Sequence, residues 1–286
     1  MKTRDLKSFL LLIGPAALFT ALMTAVPFLQ AIRMSFQDFT IGFKGMDVGL
    51  ANYAAMLKDP LFWNGLRITF ELYAMSLGAQ LLLGLYIAML LNRGLAGSRF
   101  LRTILLSPFT MPSVAVGMMW LILMDPSFGP LNYLVELAGM KKSLFLASPA
   151  LVLPSLAAID TWQYTPFVVI ILLGGLQSLP EEPYEAAEID GATKRQMFFS
   201  ITLPLLRPAI FSAVILRSID LLRFFDTVYI TTQGGPGTAS STLNVYSYNT
   251  GFVYFKMGYA SALMVTLMAI VMVIVVLFNR IKRAWV

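Results

Sequence analysis

Long apolar runs separated by short polar segments dominate the pattern of this chain. Six runs lie at about 9–32, 67–91, 101–124, 148–176, 208–230 and 258–279. Each approaches the roughly 20 residues that a helix needs to cross the hydrocarbon core of a bilayer. Prolines and charges interrupt the fourth and fifth runs, and such interruptions are tolerated where neighbouring helices satisfy the freed carbonyls. The pattern predicts an all-α integral membrane protein with six transmembrane helices, forming a single domain over residues 1–286.

Composition supports lipid as the solvent of this chain. Hydrophobic residues make up 58% of it and charged residues 13%, with a mean hydropathy of +0.75, whereas soluble domains are about one quarter charged. Cysteine and histidine are both absent, so the sequence lacks a thiol nucleophile, a disulfide framework and the commonest general base and metal ligand. We therefore expect no catalytic residue, no metal site and no cofactor held by this chain.

Basic residues indicate how the predicted helices are oriented. Of the 21 lysines and arginines, twelve fall in segments that are cytoplasmic if both termini lie inside, seven fall outside, and two lie within the fifth run. Cytoplasmic loops carry the excess of positive charge in membrane proteins. Lys2, Arg4 and Lys7 precede the first run, which continues past residue 25 without a clear cleavage site, so we interpret it as a retained anchor rather than a signal peptide. We expect a multi-pass protein of the bacterial inner membrane with cytoplasmic termini.

The most polar stretch, residues 180–208, reads as two short helices on the cytoplasmic side. Pro183 suits a first helical turn, and the glutamates beside it favour the positive end of a helix dipole. Gly191 interrupts the pattern, Thr193 can cap the second helix, and Pro204 and Pro208 are expected to close it. A charged helix pair within an otherwise apolar chain predicts a surface that binds a soluble partner protein.

The same stretch resembles the EAA loop of binding-protein-dependent ABC importer permeases, in which this loop is the coupling helix that docks on the cytoplasmic ATPase. The matching residues are Glu185, Ala186, Ala187, Asp190, Gly191, Ala192, Phe198, Ile201, Leu203 and Pro204. The resemblance implies a type I ABC importer permease with an EAA coupling helix. Small alanines would allow close approach of the partner, and the carboxylates of Glu185 and Asp190 would accept hydrogen bonds from it. Phe198, Ile201 and Leu203 would pack the second helix against the spans.

A second stretch, 224–262, is similar to the signature of the carbohydrate-uptake branch of these permeases, in particular to the larger permease subunit of maltose importers in a compact six-span form. The matching residues are Phe225, Asp226, Tyr229, Thr232, Gly234, Gly235, Pro236, Leu243, Tyr246, Tyr248, Phe252, Gly258, Ala260 and Ala262. The glycines and Pro236 end the fifth span in a turn. The hydroxyl-rich residues after this turn are consistent with an outward loop.

The resemblance implies one subunit of an ATP-driven importer for a sugar or sugar derivative. A second permease, most simply a different chain, would complete the translocation pathway. Two ATPase subunits holding ATP and Mg²⁺ would bind beneath, and an extracytoplasmic binding protein would deliver the sugar. The sequence contains no G-x-x-x-x-G-K-S/T phosphate loop, which agrees with ATP hydrolysis by other subunits. Nucleic acid is not an expected partner.

Polar residues inside the spans are candidates for the sugar pathway, because intramembrane charges usually face a bundle interior or a wet cavity. Those on the fourth and fifth runs are Asp160, Trp162, Gln163, Tyr164, Arg217, Asp220, Arg223 and Asp226. The last four follow one another at intervals of three and are expected to form a stripe on one helix. They could equally form internal ion pairs. Unmatched arginines facing the pathway would favour an anionic sugar derivative.

Other classes of membrane protein fit less well. An ion-coupled secondary sugar transporter could use Asp160, Asp220 and Asp226, but it would not need the cytoplasmic helix pair. An aquaporin-type channel would need two Asn-Pro-Ala motifs, which the sequence lacks. An intramembrane enzyme has no recognisable catalytic set, and a scaffold would not explain the sugar-family stretch.

Overall fold

Helices make up almost all of the regular structure in the computed structural model, which describes residues 3–93 and 98–285. Lys2, which contributed to the charge count, lies outside the described residues. The longer helices are α1 Thr3–Ser35, α3 Pro60–Asn92, α4 Ser98–Thr110, α5 Ser113–Leu123, α7 Val152–Gln177, α10 Leu203–Leu221 and α13 Met257–Trp285. The shorter ones are α2 Ala51–Lys58, α6 Pro130–Leu137, α8 Glu182–Ile189, α9 Lys194–Met197, α11 Asp226–Thr232 and α12 Leu243–Tyr248. A 3-10 turn covers Phe145–Ala147, and π-helical turns cover Phe198–Thr202 and Asn249–Val253.

The six predicted spans correspond to five helices and one bent pair. Within the described ranges, five helices are long and apolar enough to cross a bilayer, and a sixth span results if α4 and α5 count together. The first, second, fourth and sixth predictions are confirmed by α1, α3, α7 and α13. The third is wrong in shape, because α4 and α5 meet at an angle of 101°.

The bend between α4 and α5 falls at Met111 and Pro112. Proline disfavours a helical conformation in the residue before it, so α4 ends at Thr110, just before Met111, and carbonyls there are left without helical partners. The buried Gln163 side chain on α7 donates from Nε2 to the Met111 carbonyl oxygen at 3.1 Å. Because a freed carbonyl is costly in lipid, this amide makes the bend tolerable.

The fifth span begins and ends earlier than predicted. Helical residues run continuously over Lys194–Leu221, whereas the sequence predicted a span at 208–230. Pro204 and Pro208 were expected to close a helix, and this expectation is wrong. Pro204 lies in the first turn of α10, where a missing N–H costs little, and Pro208 lies inside α10.

The described residues divide into two compact units, one within Met1–Phe62 and Ser247–Met268. Here Gln37–Asp38 (β1) pairs antiparallel with Met46–Asp47 (β2), a small addition to the all-α prediction. Asn52 donates to the carbonyl oxygens of Ser35 and Gln37, both at 2.9 Å. A methyl group at Gly258 would overlap the Gln37 carbonyl, which explains the glycine at this signature position.

The other unit lies within Trp63–Tyr246 and Ala269–Val286. Its central element is α7, the most buried of the candidate spans, with 67% of its most apolar stretch inside the protein. One apolar cluster packs the first half of α7 against α5 and α11, and a second packs its other half against α3 and α10. The prediction of one membrane domain over residues 1–286 stays a prediction.

The glycine-rich loop of the sugar-family stretch is fixed to the start of α3. The Leu243 backbone N–H donates to Thr69 Oγ1 at 2.9 Å, and Asn64 donates to the Thr238 carbonyl at 3.2 Å. Gly234 and Gly237 have φ values of +93° and +61°, which explains the preference for glycine in this turn. These hydrogen bonds hold the loop after α11 against the first turns of α3.

Candidate functional site

The predicted cytoplasmic helix pair forms a surface of exposed, charged residues. Helix α8 begins with Pro183 in its first turn, followed by Glu185, and all eight of its described residues have some exposure. Glu185, Ala186 and Asp190 are exposed, while Ala187 and Ala192 are half-buried. Leu203 and Pro204 are half-buried at the start of α10. None of the residues of α8 is buried, so this surface is accessible along the whole helix.

The break between α8 and α9 depends on a glycine and a cap, as the sequence predicts. Gly191 adopts φ +73°, and a Cβ there would meet no atom within 4 Å. Thr193 accepts a hydrogen bond from the Gln196 N–H, and the Gln196 side chain accepts from the Thr193 N–H in return. This reciprocal pair is a capping box, which fixes the start of α9.

A buried ion pair joins α7 and α10. Arg217 Nη2 donates to both carboxylate oxygens of Asp160, at 3.1 and 3.0 Å. Both side chains are almost fully enclosed, with exposures of 1% and 0%. Gln80 on α3 completes the group: it accepts from Arg217 Nε at 2.9 Å and donates to Asp160 at 2.5 Å. The Tyr164 ring lies 4.1 Å from the guanidinium carbon, within cation–π range.

A polar cavity of about 340 Å³ opens beside this ion pair. Its lining residues include Ser113, Asp160, Tyr164, Arg217, Asp220, Arg223, Phe224, Asp226 and Asn244. The fold thus brings together six of the eight predicted pathway residues, from α7 and from both sides of the end of α10. The sequence suggested two unmatched arginines, which would favour an anionic sugar. Arg217 is not one of them, because Asp160 neutralises it.

Trp162 and Gln163 do not line this cavity. Trp162 packs edge-on against Trp120 at 5.5 Å between ring centroids and lines a separate apolar groove of about 760 Å³. The Gln163 side chain instead donates to the Met111 carbonyl at the bend between α4 and α5. Their direction follows from helix geometry, because neighbouring residues project about 100° apart around α7.

The predicted stripe on a single helix holds for Arg217 and Asp220, which share α10 and form an ion pair at 3.5 Å, and is wrong for Arg223 and Asp226. Helix α10 ends at Leu221, and Asp226 begins α11 after a turn. Asn244 donates to the carbonyl oxygen of Arg223 at 2.8 Å, which satisfies a backbone group freed by the break. Arg223 and Asp226 therefore reach the cavity through this turn rather than through a helical repeat.

Sequence reasoning missed Gln80, Ser113, Phe224 and Asn244. Gln80 carried a usable signal, because a buried amide in an otherwise apolar span requires a polar partner. Asn244 lies within the sugar-family stretch, but its role depends on the turn after α10. Ser113 is an isolated serine, and Phe224 follows Arg223 in a chain with 21 phenylalanines, so neither residue type stood out in the sequence.

Comparison with known families identifies the class of this protein. The sequence profile of binding-protein-dependent transport system inner membrane components matches residues 80–284. The chain therefore belongs to this family of membrane permeases. An ion-coupled secondary transporter is not favoured.

Individual relatives narrow the class to sugar ABC importer permeases. The chain is 32% identical to the trehalose/maltose transport system permease protein MalF of Thermococcus litoralis, over 99% of this chain and 96% of the relative. It is 33% identical to the sulfoquinovosyl glycerol transport system permease protein SmoG of Agrobacterium fabrum, over 96% and 89% of the two chains. Such permease subunits are not themselves enzymes.

A solved structure shares the fold. A chain of a bacterial alginate ABC transporter, crystallised with a periplasmic protein that carries an alginate pentasaccharide, superposes with a TM-score of 0.83. It is 23% identical, and the match covers 98% of this chain and 96% of that one. At this identity the likeness concerns the fold alone.

Proposed function

We propose that this chain is one of two permease subunits forming the pathway of an ATP-driven sugar importer, with α8 as the docking helix for an ATPase. The observation that carries this proposal is the exposed α8 surface in a chain of the binding-protein-dependent family. Two ATPase subunits bind ATP with Mg²⁺ and hydrolyse it, and an extracytoplasmic binding protein delivers the sugar. Both termini are cytoplasmic in this arrangement.

The docking core consists of Glu185, Ala186, Ala187, Asp190 and Gly191, with Ala192, Leu203 and Pro204 supporting it. The alanines expose backbone and little side chain, so a partner groove can approach closely. The carboxylates of Glu185 and Asp190 are exposed and offer charge-assisted hydrogen bonds to donors on the ATPase. Gly191 keeps the corner free of side chain.

Replacement of Gly191 by tryptophan tests the docking role against a matched control. Gly139, in the loop after α6, has φ +75° and, like Gly191, open space where a Cβ would lie. Gly191→Trp and Gly139→Trp therefore impose similar backbone strain. The importer is reconstituted with its partner subunits in proteoliposomes, and sugar uptake and ATP hydrolysis are measured together.

We expect Gly191→Trp to uncouple hydrolysis from uptake in an assembled complex, while Gly139→Trp transports normally. Normal coupling in Gly191→Trp, or wild-type complex without bound ATPase, would contradict the proposal.

We further propose that the sugar passes the 340 Å³ cavity and is neutral. Asp160 compensates Arg217, which leaves Arg223 beside the two carboxylates of Asp220 and Asp226. Surplus negative charge disfavours an anion. Tyr164, Ser113 and Asn244 offer a ring and hydrogen-bonding groups to hydroxyls.

Uptake of labelled maltose, trehalose and glycerol-3-phosphate by the reconstituted importer tests this charge preference. We expect uptake of a neutral disaccharide that Arg223→Ala retains. An importer that accepts only the anion, and loses it in Arg223→Ala, would contradict a neutral substrate.

A further inference from the structure

Helix α8 has little packing behind it. None of its residues, all of them described, is buried, and Ile189 is 87% exposed. A cavity of about 580 Å³ lies beside its N-terminal end, bordered by the ends of α3 and α7. A force on α8 therefore has few side-chain contacts through which to reach the spans.

One hydrogen bond crosses from α8 to the fifth span. Tyr184 OH donates to Thr202 Oγ1 at 3.0 Å, and both residues border the 580 Å³ cavity. Among the described residues, this is the sole side-chain hydrogen bond made by a residue of α8. Thr202 in turn donates to the carbonyl of Met197, the last residue of α9, at 3.5 Å, so the connection reaches the backbone directly before the π-helical turn.

The alternative route from α8 to α10 follows the backbone and is less direct. It passes the corner at Gly191, which has no neighbour where a side chain would be, and then α9. The Tyr184–Thr202 bond bypasses this corner and acts directly on the π-helical turn Phe198–Thr202. Single π-helical turns inside α-helices occur frequently at functional sites.

The π-helical turn continues without a break into α10, and α10 carries Arg217 and Asp220 to the polar cavity. A displacement of Thr202 along the helix axis can therefore pass to the cavity along one continuous helical segment.

We infer that Tyr184 and Thr202 are positioning residues for energy coupling: their hydrogen bond transmits movement of the docked α8 to α10. This inference rests on the proposed function, because it requires an ATPase to move α8. It adds two residues outside the docking core, and neither of them needs to touch the ATPase.

The test uses the complete importer in proteoliposomes and measures sugar molecules moved per ATP hydrolysed. Tyr184→Phe and Thr202→Val each remove one hydroxyl and little volume, and the double variant removes both. Thr202→Ser keeps the hydroxyl. Tyr133→Phe, on α6 and 63% exposed, controls for loss of a tyrosine hydroxyl elsewhere.

We expect each single variant to lower the coupling ratio by roughly two- to tenfold, the factor that a neutral hydrogen bond contributes between competing states. The double variant should lose no more than either single variant, since one bond is shared. Thr202→Ser and Tyr133→Phe should couple normally. The amount of bound ATPase and the unfolding temperature should stay at wild-type values. If the hydrogen bond were merely structural, the same variants would instead lower the unfolding temperature or the amount of bound ATPase.

Unchanged coupling in both single variants, or losses that add in the double variant, would overturn the inference. A wild-type complex that lacks ATPase or does not transport would instead contradict the proposed function. The two failures are therefore distinguishable.

Discussion

The two polar regions of this protein treat charge in opposite ways. In the spans, Asp160 and Arg217 are enclosed and bind each other and Gln80. On α8, Glu185 and Asp190 are exposed. Because lipid cannot solvate charge, a span must satisfy its ions internally, whereas an exposed helix can leave its carboxylates for a partner. The enclosed charges of this protein thus hold its helices together, whereas its exposed charges are available to bind a partner.

The largest expected effect comes from breaking the enclosed pair. Asp160→Ala removes the enclosed partner of Arg217 and leaves this arginine with the half-exposed Asp220 carboxylate, 3.5 Å from Nη1. Loss of one partner from a buried ion pair costs about 3–5 kcal/mol in comparable cases. We expect strong loss of folded protein and a lower unfolding temperature in detergent.

The double variant Asp160→Ala/Arg217→Ala should recover part of that stability, because no unpaired charge is left. Asp226→Ala, which removes an exposed carboxylate from the same cavity, serves as the control. A single variant as stable as wild type would show that the pair is not enclosed in the folded protein.

A smaller effect is expected at Gln80. Gln80→Leu preserves the ion pair but removes an acceptor from Arg217 Nε and a donor from Asp160. Buried polar groups left without a partner cost about 1–3 kcal/mol. Unfolding in detergent should show a loss between those of Asp226→Ala and Asp160→Ala. Stabilisation by leucine would mean that packing in this span outweighs the amide.

The smallest effect should come from the exposed region. Thr193→Ala removes the capping box before α9, and N-cap losses amount to about 1 kcal/mol. Because α9 lies in an exposed segment, we expect faster amide exchange at residues 194–197 with little change in global unfolding. Thr193→Ser should retain slow exchange. A large fall in global stability would show that the segment of α8 and α9 is integral to the core.

Local chemistry predicted the exposed region well. The proline at the start of α8, the glycine corner and the Thr193 cap each depend on neighbouring residues alone, so the sequence was sufficient. Hydropathy likewise predicted four spans, because lipid imposes the same length on each. The resemblance of 180–208 and 224–262 indicated the family before any geometry was known.

The enclosed region was harder to predict because its partners come from distant parts of the chain. Gln80 and Arg217 are 137 residues apart, and no local pattern joins them. The end of α10 at Leu221 depends on Asn244, which satisfies the Arg223 carbonyl from another element. Regular spacing suggested a stripe there, although a turn brings the same side chains together. Whether these residues contact sugar stays a prediction.

The amide of Gln163 illustrates how one side chain can set the shape of a membrane protein. It binds the Met111 carbonyl between α4 and α5, and so it fixes the position along the chain at which the backbone bends. A leucine there would leave the hydropathy profile almost unaltered while depriving the corner of its anchor. Two permeases with indistinguishable profiles can therefore have differently routed third segments.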